Sequence, residues 1–295
     1  MFKSICVAAA MFAACSSYAA EVYRVSNKFL ASYEQLVSSL EPGTILVLGE
    51  IHDHVGHHNS HRQILDEMLA QGVSFHVGME FFYYPDQGLV DQYLYDEVTE
   101  KDFLQQISWG GLPFDWYRAK VLAPLETGGR TFAINAPREL TRSIAREGLD
   151  SLSPELQELM PPNFELGNEG YFERFRQAVG GDHVPPEALQ NYFAAQCTWD
   201  ETMAWKSIQS AETYAGQDVF VIIVGDFHVA FGGGLPDRLS ARGAKKVVTV
   251  SHADSSGMNK EDKISWLEPH PEWGSRADWI VFAERPPSEE PTQRQ

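Results

Sequence analysis

Thr44-Ile45-Leu46-Val47-Leu48 runs straight into Gly49-Glu50-Ile51-His52-Asp53-His54-Val55-Gly56-His57-His58, and the reading of this chain turns on that junction. The first half is a short, β-branched apolar run without polar alternation, the pattern of a strand covered on both faces. The second half places one glutamate, one aspartate and four histidines between Glu50 and His58. In open α/β sheets, ligands bind at the carboxyl ends of strands. The Gly49-Glu50 step is therefore where a site is expected.

The same pattern recurs. Residues 74–80 form an apolar run that closes on Gly78-Met79-Glu80, and residues 218–225 form another that leads into Asp226-Phe227-His228. Residues 130–135, 246–250 and 279–283 are further strand candidates. Between them, residues 59–71, 89–95 and 116–125 carry helical spacing, the first ending at Gln71-Gly72. Strand and helix alternate, which implies an α/β fold with a mainly parallel central sheet flanked by helices. Residues 138–216 hold no strand pattern and are punctuated by Pro154, Pro161, Pro162, Pro185 and Pro186. They read as a helical insertion or lid within a single α/β domain spanning 21–285. The Pro/Glu/Gln-rich stretch 286–295 reads as a disordered tail.

Of the 295 residues, 43% are hydrophobic and 12% aromatic, enough for a sizeable core. Acidic residues outnumber basic ones by 41 to 23, a net charge of -18, which argues against nucleic acid as a partner. Met1-Phe2-Lys3 and the short apolar run 5–14 read as a signal peptide over residues 1–20. Two processing routes stand open. Phe12-Ala13-Ala14-Cys15 resembles a lipobox, which would make Cys15 the lipid anchor. Alternatively, cleavage falls near Ala19 or Ala20. The expected location is export, either as an outer membrane lipoprotein facing the periplasm or as a soluble periplasmic protein. Cys197 has no partner for an internal disulfide in the mature chain and reads as a buried small residue of a helix.

If the strands are parallel, three of them deliver Glu50 with His52, Glu80, and His228 to one edge of the sheet. Buried carboxylates there need a partner. Glu50, His52, Glu80 and His228 offer donors suited to a divalent transition metal, although no HExxH helix is present. Arg138 follows another strand end and can brace a carboxylate or bind an anion. Gln196, Asp200 and Met203 share one face of a helix, polar groups beside a soft sulfur. No phosphate-binding loop, dinucleotide fingerprint or GxSxG elbow occurs. A metal-dependent hydrolase, with one carboxylate as general base and Arg138 stabilising negative charge, is one reading of this set.

The other reading comes from resemblance. Gly49-Glu50-Ile51-His52-Asp53 with His57-His58, Gly78-Met79-Glu80-Phe81, Asn135-Ala136-Pro137-Arg138, Gln196 with Asp200-Glu201-Thr202-Met203-Ala204, and Gly225-Asp226-Phe227-His228 with Gly232-Gly233-Gly234-Leu235-Pro236 follow one another in order. Together they resemble the ChaN-like, haem-binding, iron-regulated lipoprotein family, with a wider likeness to erythromycin-esterase-like and TIKI/TraB-like proteins. The resemblance implies an α/β core with a helical part, haem as cofactor, binding at a homodimer interface, and a role in haem or iron uptake. It also implies a tyrosine ligand to iron. Tyr117, Tyr171 and Tyr192 lie in helical regions. Tyr171 and Tyr192 join Glu50, His52, Glu80, Arg138, Gln196, Asp200, Met203 and His228 as the expected cofactor-binding residues. Aromatics such as Trp109, Phe114, Trp116, Phe172, Phe193 and Trp199 would line the porphyrin cleft or simply pack helix against sheet.

Overall fold

Six apolar runs become six adjacent strands in the computed structural model, which describes residues 20–213 and 217–286. The leader, Cys15 and the tail fall outside the described residues, Ala20 and Pro286 apart. The strands are β1 (Glu21–Arg24), β2 (Phe29–Ala31), β3 (Thr44–Glu50), β4 (Phe75–Tyr83), β5 (Thr131–Asn135), β6 (Val219–Gly225), β7 (Lys246–Asp254) and β8 (Trp279–Ala283). They form one sheet in the order β2-β1-β8-β7-β3-β6-β4-β5. Every pairing from β8 to β5 is parallel, while β1 pairs antiparallel with both β2 and β8. The β1–β2 hairpin has no counterpart in the sequence reading. Its strands are short and part polar, and Phe29 and Leu30 stay exposed at the sheet's edge.

Alternation along β3 sends side chains to two cores. Leu46 and Leu48 pack with Val77, Met79, Val221, Ile223 and Val250, under Ile64 and Met68 of the helix Val55–Ala70 and Val121 of the helix Asp115–Leu122. Ile45 and Val47 pack on the opposite face with Ile134, Phe220, Ile222 and Val224, under Met203 and Ala204 of the helix Pro186–Thr213 and Leu235 and Leu239 of the helix Leu235–Ala241. Each fully buried aliphatic side chain contributes roughly 1.5–3 kcal/mol by leaving water. The central strands are thus clamped from both sides, and their ends are rigid places to mount a site.

Among the described residues, 138–213 are helical and irregular, with no strand. The long helix Pro186–Thr213 is more than a lid, because Met203 and Ala204 supply part of the second core. The helix expected from 59 begins at Val55, where the His54 ring accepts from the His57 amide as N-cap. The earlier start turns His57, His58 and His61 inward, all buried. β4 continues past Glu80 to Tyr83, and its register against β5 shifts between Met79 and Tyr83. Such irregularities re-aim side chains beside sites.

Candidate functional site

The order β3-β6-β4 sets the three signature strands side by side, with Glu50 in register with Gly225. Two glycines permit the close approach that follows. A Cβ on Gly225 would meet the His52 ring at 3.1 Å, and one on Gly49 would lie 2.5 Å from Asp226 Oδ1. The Gly225 amide donates to Glu80 Oε2 at 2.6 Å.

Glu50 is 2% exposed and fully engaged. Its Oε1 accepts from the Tyr117 hydroxyl at 2.6 Å and lies 3.2 Å from His52 Nδ1. Its Oε2 lies 3.5 Å from Lys120 Nζ and 3.3 Å from both His58 Nδ1 and His61 Nδ1. Burial alone would raise the carboxyl's pKa, but the Lys120 charge and the hydrogen bond with His52 hold it well below the usual range. Burial in turn draws the Lys120 ammonium down to about 8, with Glu50 opposing. Burial and the Glu50 charge push the Tyr117 phenol far up, so it stays a donor. Lys120 was missed from sequence. Its signal was weak: a lysine one helical turn from Tyr117 and next to Val121, on the face that packs inward.

The second centre lies on β4 and the segment after β6. Glu80 Oε1 is 3.5 Å from His228 Nε2, and His228 Nδ1 is 2.7 Å from Asp200 Oδ1. Asp200 Oδ2 accepts from the Tyr171 hydroxyl at 2.6 Å, and Gln196 Nε2 donates to that hydroxyl at 3.1 Å. Burial pulls the imidazole down, yet Asp200 and Glu80 outweigh it and raise His228 to about 10. Burial works against the Glu80 charge too, and His228 prevails in lowering its pKa. His52 bridges the centres. Its Nδ1 faces Glu50, its Nε2 is 4.0 Å from Glu80 Oε2, and its side chain is 40% exposed, which opens the site to solvent.

Glu50, His52, Glu80 and His228 are therefore brought together, and Gln196, Asp200 and Tyr171 join through His228. Met203 does not join them, since it is buried in the second core. Tyr171 is 1% exposed, and its hydroxyl is committed to Asp200. Tyr192 stands apart on the long helix, 44% exposed. Arg138 is exposed, and among the described residues no ion pair links it to Glu50 or Glu80. The expected metal quartet also needs correction. No group of three or more His, Cys, Asp or Glu among the described residues is placed to hold a metal ion. Glu50 is neutralised by Lys120, and His228 lies between Asp200 and Glu80 as a shared cation. The metal-dependent hydrolase is not favoured on that geometry.

Arg138 instead borders a cleft of about 510 Å³ with Phe81, Tyr83, Ile107, Trp109 and Leu112. Phe81 is the wall between cleft and site, its ring 4.9 Å from His52 and 4.8 Å from Tyr117. Tyr83 was not read from the sequence, where β4 was expected to stop at Glu80. The aromatic run Phe81-Phe82-Tyr83 was the available signal.

Fold and site define an α/β protein with a Glu–His centre at the carboxyl edge of a parallel sheet. A family model described as haem-binding uptake, Tiki superfamily, ChaN matches residues 36–239, and the chain belongs to that family. Among solved structures, ChaN of Campylobacter jejuni, described as binding haem cofacially, is similar with TM-score 0.64 and 16% identity, covering 90% of this chain and 97% of that one. At that identity the likeness bears on the fold. The type III effector HopBA1 follows at 0.49 and 11%, covering 92% of this chain and 100% of that one. A variant of erythromycin esterase EreC in its open conformation gives 0.45 and 13%, covering 90% and 83%. No curated protein sequence matches.

Proposed function

We propose that this chain binds haem in the cleft beside the Glu–His centre and serves haem uptake at the cell envelope. The observation that carries the reading is the make-up of that cleft. Phe81, Ile107, Trp109 and Leu112 offer apolar walls for a porphyrin, Arg138 offers a guanidinium for a propionate, and Tyr83 offers a phenol. Haem would supply ferric iron with an axial position that a hard phenolate suits. Burial holds the Tyr83 phenol above its ordinary pKa, against the opposing charge of Arg138. Without haem it is therefore protonated at neutral pH, and ligation releases that proton. Affinity for ferric haem is expected to rise with pH. His52, at the site's solvent-facing side, offers a polar contact on the far side of Phe81.

The leader supports export, either with Cys15 as lipid anchor in the outer membrane or with simple cleavage into the periplasm. The mass of the mature protein separates the two. The cofacial haem of the Campylobacter jejuni protein supports a homodimer that closes the cleft with a second copy.

Titrating haem into the purified chain is expected to give a saturable Soret shift of the tyrosinate type. Tyr83→Phe is expected to abolish that spectrum, and Arg138→Ala to weaken binding about tenfold or more, the size of one lost charge-assisted hydrogen bond. Tyr192→Phe should leave both unchanged. No Soret shift at stoichiometric haem would sink the proposal.

A further inference from the structure

His58 and His61 lie one turn apart on the helix Val55–Ala70 and present the same face. Each ring gives one nitrogen to a backbone carbonyl: His58 Nε2 is 2.9 Å from His52 O, and His61 Nε2 is 3.2 Å from Gly49 O. A carbonyl only accepts, so both Nε2 atoms carry the hydrogen and both Nδ1 atoms of the neutral rings carry lone pairs. Both lone pairs lie 3.3 Å from the same carboxylate oxygen, Glu50 Oε2. Such an arrangement is repulsive unless a positive charge sits among the three. Lys120 supplies it for two of them, with Nζ 2.6 Å from His58 Nδ1 and 3.5 Å from Glu50 Oε2, on a residue only 1% exposed. His61 is fully buried, and its Nδ1 has no hydrogen-bond partner among the described residues. It is aimed at this centre with nothing to donate to it.

Imidazoles whose second nitrogen is fixed on a backbone carbonyl are the usual form of metal-bound histidine. Two such rings and one carboxylate are the donor set of a three-ligand zinc-type centre. Metal bonds of about 2.0–2.2 Å set the donors of a tetrahedral centre about 3.3–3.6 Å apart, near the 3.3 Å that separates each Nδ1 from Glu50 Oε2; with the Lys120 ammonium against two of the three donors, no such group among the described residues is placed to hold an ion.

We propose that Glu50, His58 and His61 form a site for a divalent transition metal, and that the Lys120 ammonium is the cation that occupies it in this chain. Lys120 thereby keeps loose divalent metal off the strand-end carboxylate. The site differs from the quartet expected from sequence, sharing only Glu50 with it.

Cobalt(II) titration of the full purified chain tests this through its visible ligand-field absorption. The native chain is expected to show none. Lys120→Ala is expected to bind one cobalt per chain, at least about 100-fold more tightly than the native chain, and to lose that binding when His61→Ala is added. Lys120→Ala leaves Glu50 without its cation and lowers the melting temperature, which cobalt is expected to restore. The pair Glu50→Gln with Lys120→Met removes both charges, keeps the bulk, and is expected to fold and bind no cobalt. Four results would overturn the proposal: cobalt absorption in the native chain that disappears with His61→Ala, a folded Lys120→Ala chain that takes no cobalt, a Lys120→Ala chain that stays unfolded in saturating cobalt, or cobalt binding by the charge-free pair.

Discussion

The centre at Glu50 and the centre at Glu80 stand on strand ends separated only by β6, yet His61 of the one and His228 of the other are held in opposite states. Around Glu50, burial is the chief cause that pushes His57 down to about 3 and His61 to about 4, and it drives the neighbouring His252 well below its ordinary value. The Lys120 charge deepens the effect for His61. Around Glu80 the burial is as complete, but His228 is raised to about 10 because two carboxylates face one ring. Burial is common to both centres, so it does not decide the sign. The balance of carboxylates against cations does. An ammonium beside the carboxylate, with full burial, leaves His61 neutral, while two carboxylates on one imidazole keep His228 charged.

The largest expected effect comes from breaking that balance. Glu50→Gln leaves Lys120 buried without a counter-charge, and Asp200→Asn takes from His228 its nearer carboxylate. Removing one member of a buried pair costs about 3–5 kcal/mol. Urea unfolding is expected to show losses of that size for Glu50→Gln. For Asp200→Asn the sharper readout is NMR, where His228 should titrate well below about 10, with Glu80 alone at 3.5 Å left to hold its proton. An Asp200→Asn chain whose His228 titration is unmoved would contradict the carboxylate count.

How much of this was legible follows from the same physics. The parallel sheet was readable because both faces are covered, so β3 and β6 appear as unbroken apolar runs, and a carboxylate at the end of such a run is conspicuous. Glu50, Glu80 and His228 stand out in the sequence that way. Lys120 was not, because a lone lysine on a short amphipathic helix reads as solvated, and only the tertiary packing of the Asp115–Leu122 helix under the sheet turns it inward. His57, His58 and His61 read as loop or helix start with no facing direction. Their burial depends on the Gly49 and His52 carbonyls that accept from His61 and His58, and on the Ile51 amide that donates to His57. Met203 is the reverse case. It falls within the sequence spacing of Asp200 and Gln196, but the helix turns its sulfur into the second core.

The pH dependence of stability should show the two centres separately. His57 and His61 are neutral in the folded chain, with pKa values of about 3 and about 4 against an ordinary 6.5. Their contribution is complete above 6.5 and is lost as pH falls. Between 6.5 and the ordinary glutamate value of 4.5, the loss approaches about 1.4 kcal/mol per pH unit per histidine. His228 runs the other way. Its folded pKa is raised, so its contribution is complete below 6.5 and is lost as pH rises through about 10. Unfolding free energy measured across this range is expected to fall on both sides. His57→Gln should flatten the acid limb and His228→Gln the alkaline one. If both variants flattened the same limb, the opposite protonation states would be refuted.

The smallest effect is the most discriminating. Tyr117 and Tyr171 each donate a hydroxyl hydrogen to a buried carboxylate at 2.6 Å, one in each centre. Hydrogen bonds to charged groups contribute roughly 1.5–3 kcal/mol net, so Tyr117→Phe and Tyr171→Phe should cost similar amounts in urea. Their electrostatic consequences differ. Tyr171→Phe strips Asp200 of a donor that competes with His228, so more of its charge acts on the ring and the His228 pKa moves up. Tyr117→Phe leaves His228 where it was and instead concentrates Glu50's charge on Lys120, lifting the lysine from about 8 toward its ordinary 10.5. NMR titration of both groups in both variants gives four shifts. The two-centre picture requires two to move and two to stay, because the hydroxyls serve different carboxylates and His52, the bridge, touches each centre by a different ring nitrogen.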